Sequence, residues 1–346
     1  MKRVLLIGAG HGHLVVLRSL SQKPLYGARI MLVSPNARQV YSGMLPGILA
    51  GHYRRAEAEI DIAALAERAY VELELGMVVR LDAQKRVAFL KDGRSFAYDF
   101  ASLNAGSIVD GSLPGAEHAL PVKPFDEFLA RLRLAERVAV VGAGAAGAEL
   151  AMALRHRGAQ VTVYSDRLTV SPALAERLLR QFRKRKVDYR PGMPVTAIEP
   201  GPVVVAGAAH QDFDLVLLAT GAAPLPWLKS AGLATDERGF VLVHATLQSL
   251  SHPEVFVLGD CATLRDSPHP KSGVYAVRHG ELLIANLRRL FSGQALEPYV
   301  PQKRALLLLS CGARYAIAQR GGWSAQGRSL WWLKDRIDRR WVASFR

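Results

Sequence analysis

The stretch Val4-Leu5-Leu6-Ile7-Gly8-Ala9-Gly10-His11-Gly12-His13 decides the fold of this chain. Its four consecutive apolar residues predict a short strand buried on both faces, and its glycines predict a tight turn directly after that strand. A helix-like stretch over residues 14–20 and a second apolar strand over residues 28–33 follow. This succession of strand, turn, helix and strand is a βαβ unit, which predicts a parallel sheet covered by helices.

The glycine turn is a candidate phosphate site. Glycines at positions 8 and 10 let the amide groups at the start of the helix approach a pyrophosphate, which the positive end of the helix dipole attracts. His13 stands where a third glycine is usual. At the end of the second strand, where an acidic residue would bind a ribose, Ser34 offers one neutral hydroxyl. The unit is therefore predicted to bind a nucleotide.

Residues 137–166 repeat the same succession of strand, turn, helix and strand. Their turn, from Gly142 to Gly147, has the complete spacing GxGxxG between a strand and a helix, as dinucleotide binding requires. Asp166 and Arg167 follow the second strand. An aspartate there favours the free 2′-hydroxyl of NADH, whereas an arginine accommodates the 2′-phosphate of NADPH. The sequence predicts a second dinucleotide site and leaves both nicotinamide cofactors open.

A third candidate, Gly259-Asp260, follows the apolar run of residues 255–258. An aspartate directly after a buried strand is commonly a turn residue or a helix cap. In a chain with two dinucleotide-binding units, and with Ala219-Thr220-Gly221 at the end of another strand, a ligand-binding role is favoured over that structural one. Asp260 is therefore a candidate cofactor ligand.

The segments around the two units predict antiparallel strands and two crossings between domains. Residues 71–75 and 87–90 alternate in polarity, and a turn at residues 91–94 predicts a hairpin. Stretches with proline and glycine at residues 111–124 and 222–232 predict the places where the chain passes from one domain to the other.

The composition is that of a globular protein with an excess of positive charge. Of the 346 residues, 50% are hydrophobic and 22% charged, which excludes a disordered or fibrous chain. The length predicts two or three subdomains rather than one small core. A net charge of +15 suits a protein that meets a phosphate-rich partner, whether lipid, nucleic acid or nucleotide.

The cysteines, the histidines and the apolar runs exclude several classes of protein. Cys261 and Cys311 lie far apart in sequence, so a CxxC or CxxxxC redox pair is excluded and each is predicted to be a small buried thiol. The ten histidines do not cluster at metal-ligand spacing, so no metal site is predicted. No apolar run approaches the roughly 20 residues that span a bilayer. We expect a cytoplasmic mature chain, with the inner face of the membrane as the alternative location.

Together these motifs resemble the two-dinucleotide-binding-domain flavoproteins, the pyridine nucleotide-disulfide oxidoreductase superfamily of glutathione reductase. The motifs that carry the resemblance are Gly8 to His13, Asn104-Ala105-Gly106, Gly142 to Gly147 with Glu149, Ala219-Thr220-Gly221 and Gly259-Asp260. Within the superfamily, the segments 41–47, 102–107 and 334–340 resemble the flavoprotein module that is fused to selenide, water dikinase, which is itself similar to type II NADH dehydrogenase.

The resemblance implies an α/β fold with two Rossmann-like, glutathione-reductase-like dinucleotide-binding domains and a short C-terminal α/β tail. The implied domains are 1–120 (first part of an FAD-binding domain), 121–235 (an inserted NAD(P)H-binding domain), 236–300 (second part of the FAD-binding domain) and 301–346 (a C-terminal segment that ends in an amphipathic helix). The positions that match the FAD-binding motifs are Gly8, Gly10, His13, Ser34, Ser42, Asn104, Ala105, Gly106, Gly259, Asp260 and Ala276. Those that match the NAD(P)H-binding motifs are Gly142, Gly144, Gly147, Asp166, Arg167 and Gly221.

The resemblance also bears on the electron acceptor. The loop Tyr41–Gly47 occupies the region where disulfide reductases carry CxxxxC, and it contains no cysteine, so the resemblance implies that electrons leave for an external acceptor. Val274 and Arg278 replace two glutamines of the quinone motif of type II NADH dehydrogenases, so the resemblance does not specify a quinone.

The function implied is that of an FAD-dependent NAD(P)H oxidoreductase. Hydride passes from nicotinamide to flavin, and electrons pass on to a quinone or another small non-protein acceptor. The alternative is an FAD- and NAD(P)H-binding redox sensor or partner-binding flavoprotein with little turnover, linked to selenium metabolism through the fused module.

Glu149 is the candidate catalytic residue. It matches the position of a glutamate that, in type II NADH dehydrogenases, lies near the nicotinamide and the flavin. The structural alternative is a glutamate near a helix start that interacts with the helix dipole. Hydride transfer between two cofactors requires no side-chain acid or base, so alignment is the protein's main task.

The sequence of residues 330–345 predicts an amphipathic helix with basic residues beside an apolar face. The apolar face consists of Leu330, Leu333, Ile337, Trp341 and Phe345. Two occupants of that face stay open: the lipid interface, or the parent domain or a second copy in a homodimer. Nucleic acid is excluded as a partner because the chain has no recognisable reading module.

Overall fold

Two parallel sheets of five strands each place the two glycine turns. The computed structural model describes residues 1–302 and 304–346. The elements up to residue 109 are β1 (Lys2–Ile7), α1 (His11–Gln22), β2 (Ala28–Ser34), β3 (Arg38–Val40), α2 (Leu45–Leu49), α3 (Arg55–Ala58), β4 (Glu59–Asp61), α4 (Ile62–Arg68), β5 (Glu72–Leu75), β6 (Val78–Asp82), β7 (Val87–Leu90), β8 (Ser95–Ala97), β9 (Phe100–Leu103) and β10 (Ile108–Val109).

The middle of the chain forms the second parallel sheet and the helices on its faces. Its elements are β11 (Leu120–Pro121), α5 (Phe125–Arg131), β12 (Arg137–Val141), α6 (Ala145–His156), β13 (Gln160–Ser165), α7 (Pro172–Arg185), β14 (Asp188–Pro191), β15 (Ala197–Glu199), β16 (Val203–Ala206), β17 (Ala209–Asp212), β18 (Leu215–Leu218) and β19 (Ala222–Ala223).

The last part of the chain returns to the first sheet and then forms a C-terminal α/β segment. Its elements are β20 (Val241–Val243), β21 (Val255–Val257), β22 (Ala262–Leu264), α8 (Gly273–Phe291), β23 (Leu306–Cys311), β24 (Ala313–Arg320), β25 (Trp323–Gly327) and α9 (Arg328–Ala343).

The first parallel sheet has the strand order β21-β9-β1-β2-β5. β1 and β2 pair in register from Lys2 with Ala28 to Ile7 with Val33. β9 and then β21 continue the sheet on the other side of β1. Because these strands are parallel, the residues that follow β1, β9 and β21 meet at one edge of the sheet, which is where open α/β sheets bind ligands.

The second parallel sheet has the order β11-β18-β12-β13-β14. Its strands β12 and β18 are adjacent, so the turn after β12 lies beside the residues that follow β18. A two-stranded antiparallel ribbon, β10 with β19, joins the two stretches where the chain passes between the sheets. The predicted α/β class with two Rossmann-like units is confirmed, and the exact domain boundaries stay a prediction.

One strand prediction is half right. The hairpin around residues 91–94 is present as the antiparallel pair β7 and β8. Residues 71–75, in contrast, form β5, which is parallel to β2 at the edge of the first sheet. An edge strand is covered less than a central one, so its sequence alternates in polarity, and alternation does not distinguish parallel from antiparallel pairing.

The C-terminal segment contributes to both hydrophobic cores. Leu309 on β23 and Ile317 on β24 belong to the cluster of buried side chains around the second sheet. Trp331 and Val342 on α9 belong to the cluster around the first sheet. Each core is thus completed by the tail, and the tail lies against both sheets.

The predicted apolar face of the C-terminal helix is wrong in part. Leu333 and Ile337 are each 42% exposed, whereas Lys334 is 9% and Asp338 4% exposed. Lys334 and Asp338 lie one turn apart and form an ion pair at 2.6 Å, and Lys334 also donates to the carbonyl of Gly43 at 2.7 Å. Charges that are paired and hydrogen-bonded can be buried, which a helical wheel sorted by hydropathy does not anticipate.

Candidate functional site

The first glycine turn is closed against the residues that follow β9. Gly8 has a φ of +84°, and a Cβ there would lie 2.5 Å from the Cα of Ala105. A Cβ on Gly10 would lie 2.4 Å from the carbonyl oxygen of Asn104, to which the Gly10 amide donates at 3.0 Å. The backbone approach therefore requires glycine at both positions.

Both glycine turns lead into helix starts that suit phosphate groups. Gly10 is the N-cap of α1 and Gly144 the N-cap of α6, and neither glycine has a side chain that could cap its helix. Neither first turn carries an acidic residue. Amide donors at the positive end of a helix dipole, with no competing carboxylate, fit the pyrophosphate of a dinucleotide. The donor sets present therefore fit the two predicted cofactors.

His13 supports the first turn from the protein side. Its Nδ1 lies 2.5 Å from the carbonyl oxygen of Gly8 and its Nε2 2.7 Å from Oγ of Ser102. Burial lowers the pKa of His13 to about 4, so the ring is neutral. The His13 amide donates to Oδ1 of Asn104 at 3.1 Å. Since protein groups engage both ring nitrogens, His13 shapes the turn rather than offering its side chain to a ligand.

The residues after β21 close the same edge of the sheet. The amide of Gly259 donates to Nδ1 of the buried His279 at 3.1 Å. A Cβ on Gly259 would lie 3.0 Å from the Cβ of Ala276, on the first turn of α8. The side chain of Asn104 reaches this stretch as well, because its Nδ2 donates to the carbonyl of Leu258 at 3.2 Å.

Asp260 lies in a cluster of charged groups at this edge. Its Oδ2 accepts hydrogen bonds from Nζ of Lys123 and from Oγ of Ser107, each at 2.8 Å. His11, the first residue of α1, is close enough for both Asp260 and Lys123 to influence its pKa, which burial lowers. The structure thus brings the first turn, Asp260 and Lys123 into one place.

The remaining predicted FAD residues lie around this cluster with different degrees of access. Oγ of Ser42 is 3.5 Å from Nε2 of His11. Gly106 has a φ of +78° and open space beside its Cα. Ser34 is buried, and its hydroxyl donates to the carbonyl of Asn36 at 2.9 Å, so that hydroxyl is already used in a local turn.

The second glycine turn is closed by the end of β18. A Cβ on Gly142 would lie 2.3 Å from the carbonyl oxygen of Ala219, and a Cβ on Gly147 would lie 2.1 Å from the carbonyl oxygen of Gly142. Gly221 has a φ of +122° and open space beside its Cα. The predicted NAD(P)H glycines therefore gather at one edge of the second sheet.

Asp166 and Arg167 lie beyond the end of β13, and both are exposed. The hydroxyl of Ser165 donates to the carbonyl of Arg167 at 2.7 Å, which fixes the backbone of this turn. The side chains themselves are open to solvent at the end of the strand, the position at which the motif predicts the ribose or its phosphate. The choice between NADH and NADPH stays open.

Glu149 lies on α6 at the junction of the two sheets and the tail. Its Oε1 accepts a hydrogen bond from the amide of Ser310 on β23 at 2.7 Å. Burial raises the pKa of Glu149 to about 7, although the nearby Lys334 ammonium acts in the opposite direction. Asp338 and Tyr41 interact electrostatically with the same carboxyl group. The site thus contains a partly buried carboxyl group whose pKa is raised toward neutral pH.

The helix α9 covers the cysteine-free loop 41–47. Besides the bond from Lys334 to Gly43, the ring of Trp341 stacks on His11 with centroids 6.2 Å apart. Trp341 also lies 6.1 Å from the ring of Tyr41. The tail therefore reaches the first glycine turn and shields it from one side.

Both cysteines are buried and free, as predicted. Burial raises the pKa of Cys261 and of Cys311 to about 12, so neither forms a thiolate at neutral pH. In the described part of the chain no three histidine, cysteine or acidic side chains gather around a potential metal position.

Sequence reasoning missed Lys123, Ser107, His11, Lys334 and Asp338. Lys123 lies in the stretch 111–124, for which the sequence predicts only the passage of the chain between domains. Ser107 directly follows the motif Asn104-Ala105-Gly106. The pair Lys334 and Asp338 has the i, i+4 spacing of an ion pair, which was the available signal. Nothing in the sequence marks that pair as buried.

The fold and the site define a class: flavoprotein oxidoreductases with two dinucleotide-binding units. The chain belongs to the pyridine nucleotide-disulphide oxidoreductase family, which it matches over residues 2–280. It is an NAD(P)H dehydrogenase flavoprotein with FAD and NAD(P)H as cofactors. The predicted superfamily and the predicted cofactors are confirmed, whereas the individual cofactor-binding residues stay predictions.

Relatives and solved structures agree with this assignment. The NADH dehydrogenase-like protein YutJ of Bacillus subtilis (strain 168) is 25% identical over 326 residues, which are 87% of this chain and 87% of that protein. The sulfide:quinone oxidoreductase of Aquifex aeolicus superposes with a TM-score of 0.80 at 16% identity, covering 100% of this chain and 92% of the other. A ferredoxin reductase from Rhodopseudomonas palustris gives a TM-score of 0.78 at 23% identity, covering 92% and 82%. These two structures show the shared fold.

Among the residues that the structure describes, none of the helices has the length and apolar character needed to cross a bilayer.

Proposed function

We propose that this flavoprotein passes electrons from NAD(P)H to a quinone or another small non-protein acceptor. The observation that carries the proposal is the partly buried carboxyl group of Glu149, which accepts from the Ser310 amide and lies near Lys334, the residue that donates to the loop 41–47. Because that loop offers no dithiol to receive electrons, the acceptor is external. The likeness to a protein named NADH dehydrogenase-like and to a sulfide:quinone oxidoreductase supports the proposal.

The chain's residues bind and orient the reactants and supply a proton. FAD, when bound, supplies the two-electron chemistry between NAD(P)H and the acceptor. Reduction of a quinone to a quinol by NAD(P)H consumes the hydride and one further proton, and the raised pKa of Glu149, about 7, lets this carboxyl group supply that proton near neutral pH. Since its Oε1 accepts from Ser310, the other oxygen carries the proton. The Lys334 ammonium then stabilises the carboxylate that is left.

Anaerobic stopped-flow spectroscopy tests this proposal. NADH is expected to bleach the flavin absorbance rapidly, and a soluble quinone is expected to restore it. E149Q should bleach normally but recover at least about tenfold more slowly, since general acids contribute factors of this size or larger. The matched control is E176Q, because Glu176 is exposed on α7 and pairs with Arg180, away from the site.

Two results would contradict the proposal. Equal recovery of wild type and E149Q would remove Glu149 from the reaction. Persistent bleaching with every quinone and small oxidant tried would instead support a redox sensor with little turnover.

We also propose that the exposed face of α9 contacts an anionic lipid surface. Trp332 is 55% exposed, next to the exposed Leu333 and Ile337, and Arg336 and Arg340 lie on the same side of the helix. Exposed apolar side chains flanked by arginines suit the interface of an anionic bilayer, and the net charge of +15 favours that partner further.

Co-sedimentation with vesicles tests the lipid surface. We expect binding to vesicles of phosphatidylcholine with phosphatidylglycerol and little binding to phosphatidylcholine alone. L333S/I337S should weaken binding, whereas L75S/M77S, which changes an exposed apolar pair at the edge of the first sheet, should not. A dimer in solution that L333S/I337S dissociates, without vesicle binding, would show that a second copy covers this face.

A further inference from the structure

The ion pair between Lys123 and Asp260 joins the two halves of the molecule at the FAD site. We propose that Lys123 is a positioning residue for FAD, which holds the Asp260 carboxylate by one oxygen so that the other can accept a hydrogen bond from the cofactor. The inference rests on FAD binding by this family and is independent of the acceptor proposed above.

The hydrogen bonds of Asp260 divide its two oxygens. Nζ of Lys123 and Oγ of Ser107 both donate to Oδ2, each at 2.8 Å, and Lys123 also donates to Ser107 at 2.9 Å. This triangle fixes the carboxylate plane. From residues 1–302 and 304–346 no donor reaches Oδ1, so that oxygen is left for a hydroxyl of a bound molecule. An oxygen held in this way costs a ligand little reorganisation.

The backbone of Lys123 belongs to the second sheet, although its side chain serves the first. β11 pairs with β18, and the amide of Val122 continues this pairing by donating to the carbonyl of Leu218 at 3.1 Å. The next residue, Lys123, extends its side chain to the residues that follow β9 and β21. The lysine therefore positions Asp260 from a rigid sheet edge rather than from a mobile loop.

Lys123 also decides the charge of Asp260. Burial opposes ionisation, but attraction and hydrogen bonds from Lys123, together with Ser107, keep the pKa of Asp260 below its usual value. The other titratable groups that face it are Lys271 from the loop before α8, His11 from α1, His269 and the neighbouring Cys261. Of these, Lys271 alone adds positive charge at neutral pH, and it donates to Oγ of Thr263 at 2.9 Å instead of to the carboxylate.

Without Lys123, burial of Asp260 is no longer compensated, so its pKa rises and the carboxyl group becomes protonated at higher pH. A protonated, unanchored carboxyl group is a poorer acceptor for the cofactor. FAD affinity should therefore fall, and the fall should begin at a higher pH than in the wild type.

FAD titration of the apoprotein tests the proposal, with flavin fluorescence as the readout between pH 5 and pH 8. At pH 7.5, K123M should raise the Kd for FAD about tenfold or more, as expected when a buried carboxylate loses its charged donor. K123R should stay within about threefold, because it restores the charge. From pH 8 to pH 5 the affinity of the wild type should stay constant, whereas that of K123M should fall as Asp260 becomes protonated, and S107A, which removes a neutral donor, should show a smaller fall.

A double-mutant cycle separates positioning from direct contact with the cofactor. If Lys123 acts through Asp260, K123M should have no further effect on Kd in the D260N background. Full additivity of the two substitutions would overturn the proposal, as would a K123M protein with wild-type affinity and pH profile. Should K123M fail to fold by circular dichroism, K123Q carries the same comparison, with S107A as its control.

Discussion

The two glycine turns follow one sequence pattern but are built differently. The first, residues 8–13, is closed by Asn104 after the neighbouring strand β9 and also by Ala276 and Gly280 on α8, and it faces Asp260. The second, residues 142–147, is closed by Ala219 after the neighbouring strand β18, and its Ala146 is exposed to solvent. A site enclosed from two sides suits a cofactor that stays bound. A more open site suits a cofactor that exchanges in every turnover.

The second glycine of each turn allows this comparison to be tested directly, and the largest effect is expected there. A Cβ on Gly10 would lie 2.4 Å from the carbonyl oxygen of Asn104, whereas a Cβ on Gly144 would lie 3.2 Å from Oγ1 of Thr169, a side-chain atom that can move. G10A should abolish FAD retention and lower the free energy of unfolding by about 3 kcal/mol, at the upper end of the cost of overpacking.

The matched variant G144A should keep its flavin and lose less than about 1 kcal/mol. Its defect should appear as a raised KM for NAD(P)H, because the added methyl group lies where the backbone approaches the pyrophosphate. The ratio of flavin to protein, the thermal midpoint and steady-state kinetics measure these effects. Equal flavin content in the two variants would contradict the proposed difference between the turns.

The second residue pair to compare lies one turn further along each helix. Val15 on α1 is buried and apolar, whereas Glu149 occupies the corresponding position on α6 and has a pKa raised by burial from 4.5 to about 7. A raised pKa means that the folded protein binds the proton more tightly. This stabilisation is complete below about pH 4.5 and is lost as the pH rises to about 7.

Between pH 5 and pH 8 the wild type should therefore lose up to about 3 kcal/mol more stability than E149Q. Chemical denaturation at the two pH values measures the difference, with E176Q as the control. Parallel pH dependence in wild type and E149Q would mean that the Glu149 carboxyl group does not titrate in this range.

A smaller effect is expected at the exposed end of the second site. D166A should raise the KM for NADH about tenfold, the size expected for the loss of one good hydrogen-bonding contact to the ribose, while flavin content stays unchanged. The corresponding measurement for R167A is its KM for NADPH. If D166A leaves the KM for NADH and the KM for NADPH unchanged, the cofactor does not reach the end of β13.

The parts of the site that sequence could predict are those fixed by local backbone geometry. The glycine turns were predictable because strand, turn and helix succeed one another along the chain, and glycine is required where the backbone approaches Asn104 or Ala219. Lys123 and the pair Lys334 and Asp338 were not predictable in this way. Their roles depend on which distant segments meet, and a charged residue carries no local signal that it will be buried against a partner.

The same reasoning explains the error in the C-terminal helix. Hydropathy distinguishes residues 330–345 by side-chain type. In the structure, the burial of each residue depends instead on which groups α9 packs against. Lys334 and Asp338 satisfy the carbonyl of Gly43 and one another, so their burial needs no apolar neighbour. The helical period was predictable from the sequence, but the face that docks was not.

The smallest effect is expected at the cysteines, one of which lies in each core. Cys261 belongs to the core of the first sheet and Cys311 to that of the second, and both thiols are fully buried with strongly raised pKa values. C261A and C311A should each keep NAD(P)H oxidation within about twofold of wild type and cost about 1 kcal/mol of stability, as removal of one small buried group does. Resistance of the wild type to a thiol-alkylating reagent serves as the independent check. Loss of quinone reduction in either variant would mean that electrons pass through a protein thiol, and the external acceptor would then no longer follow from the cysteine-free loop 41–47.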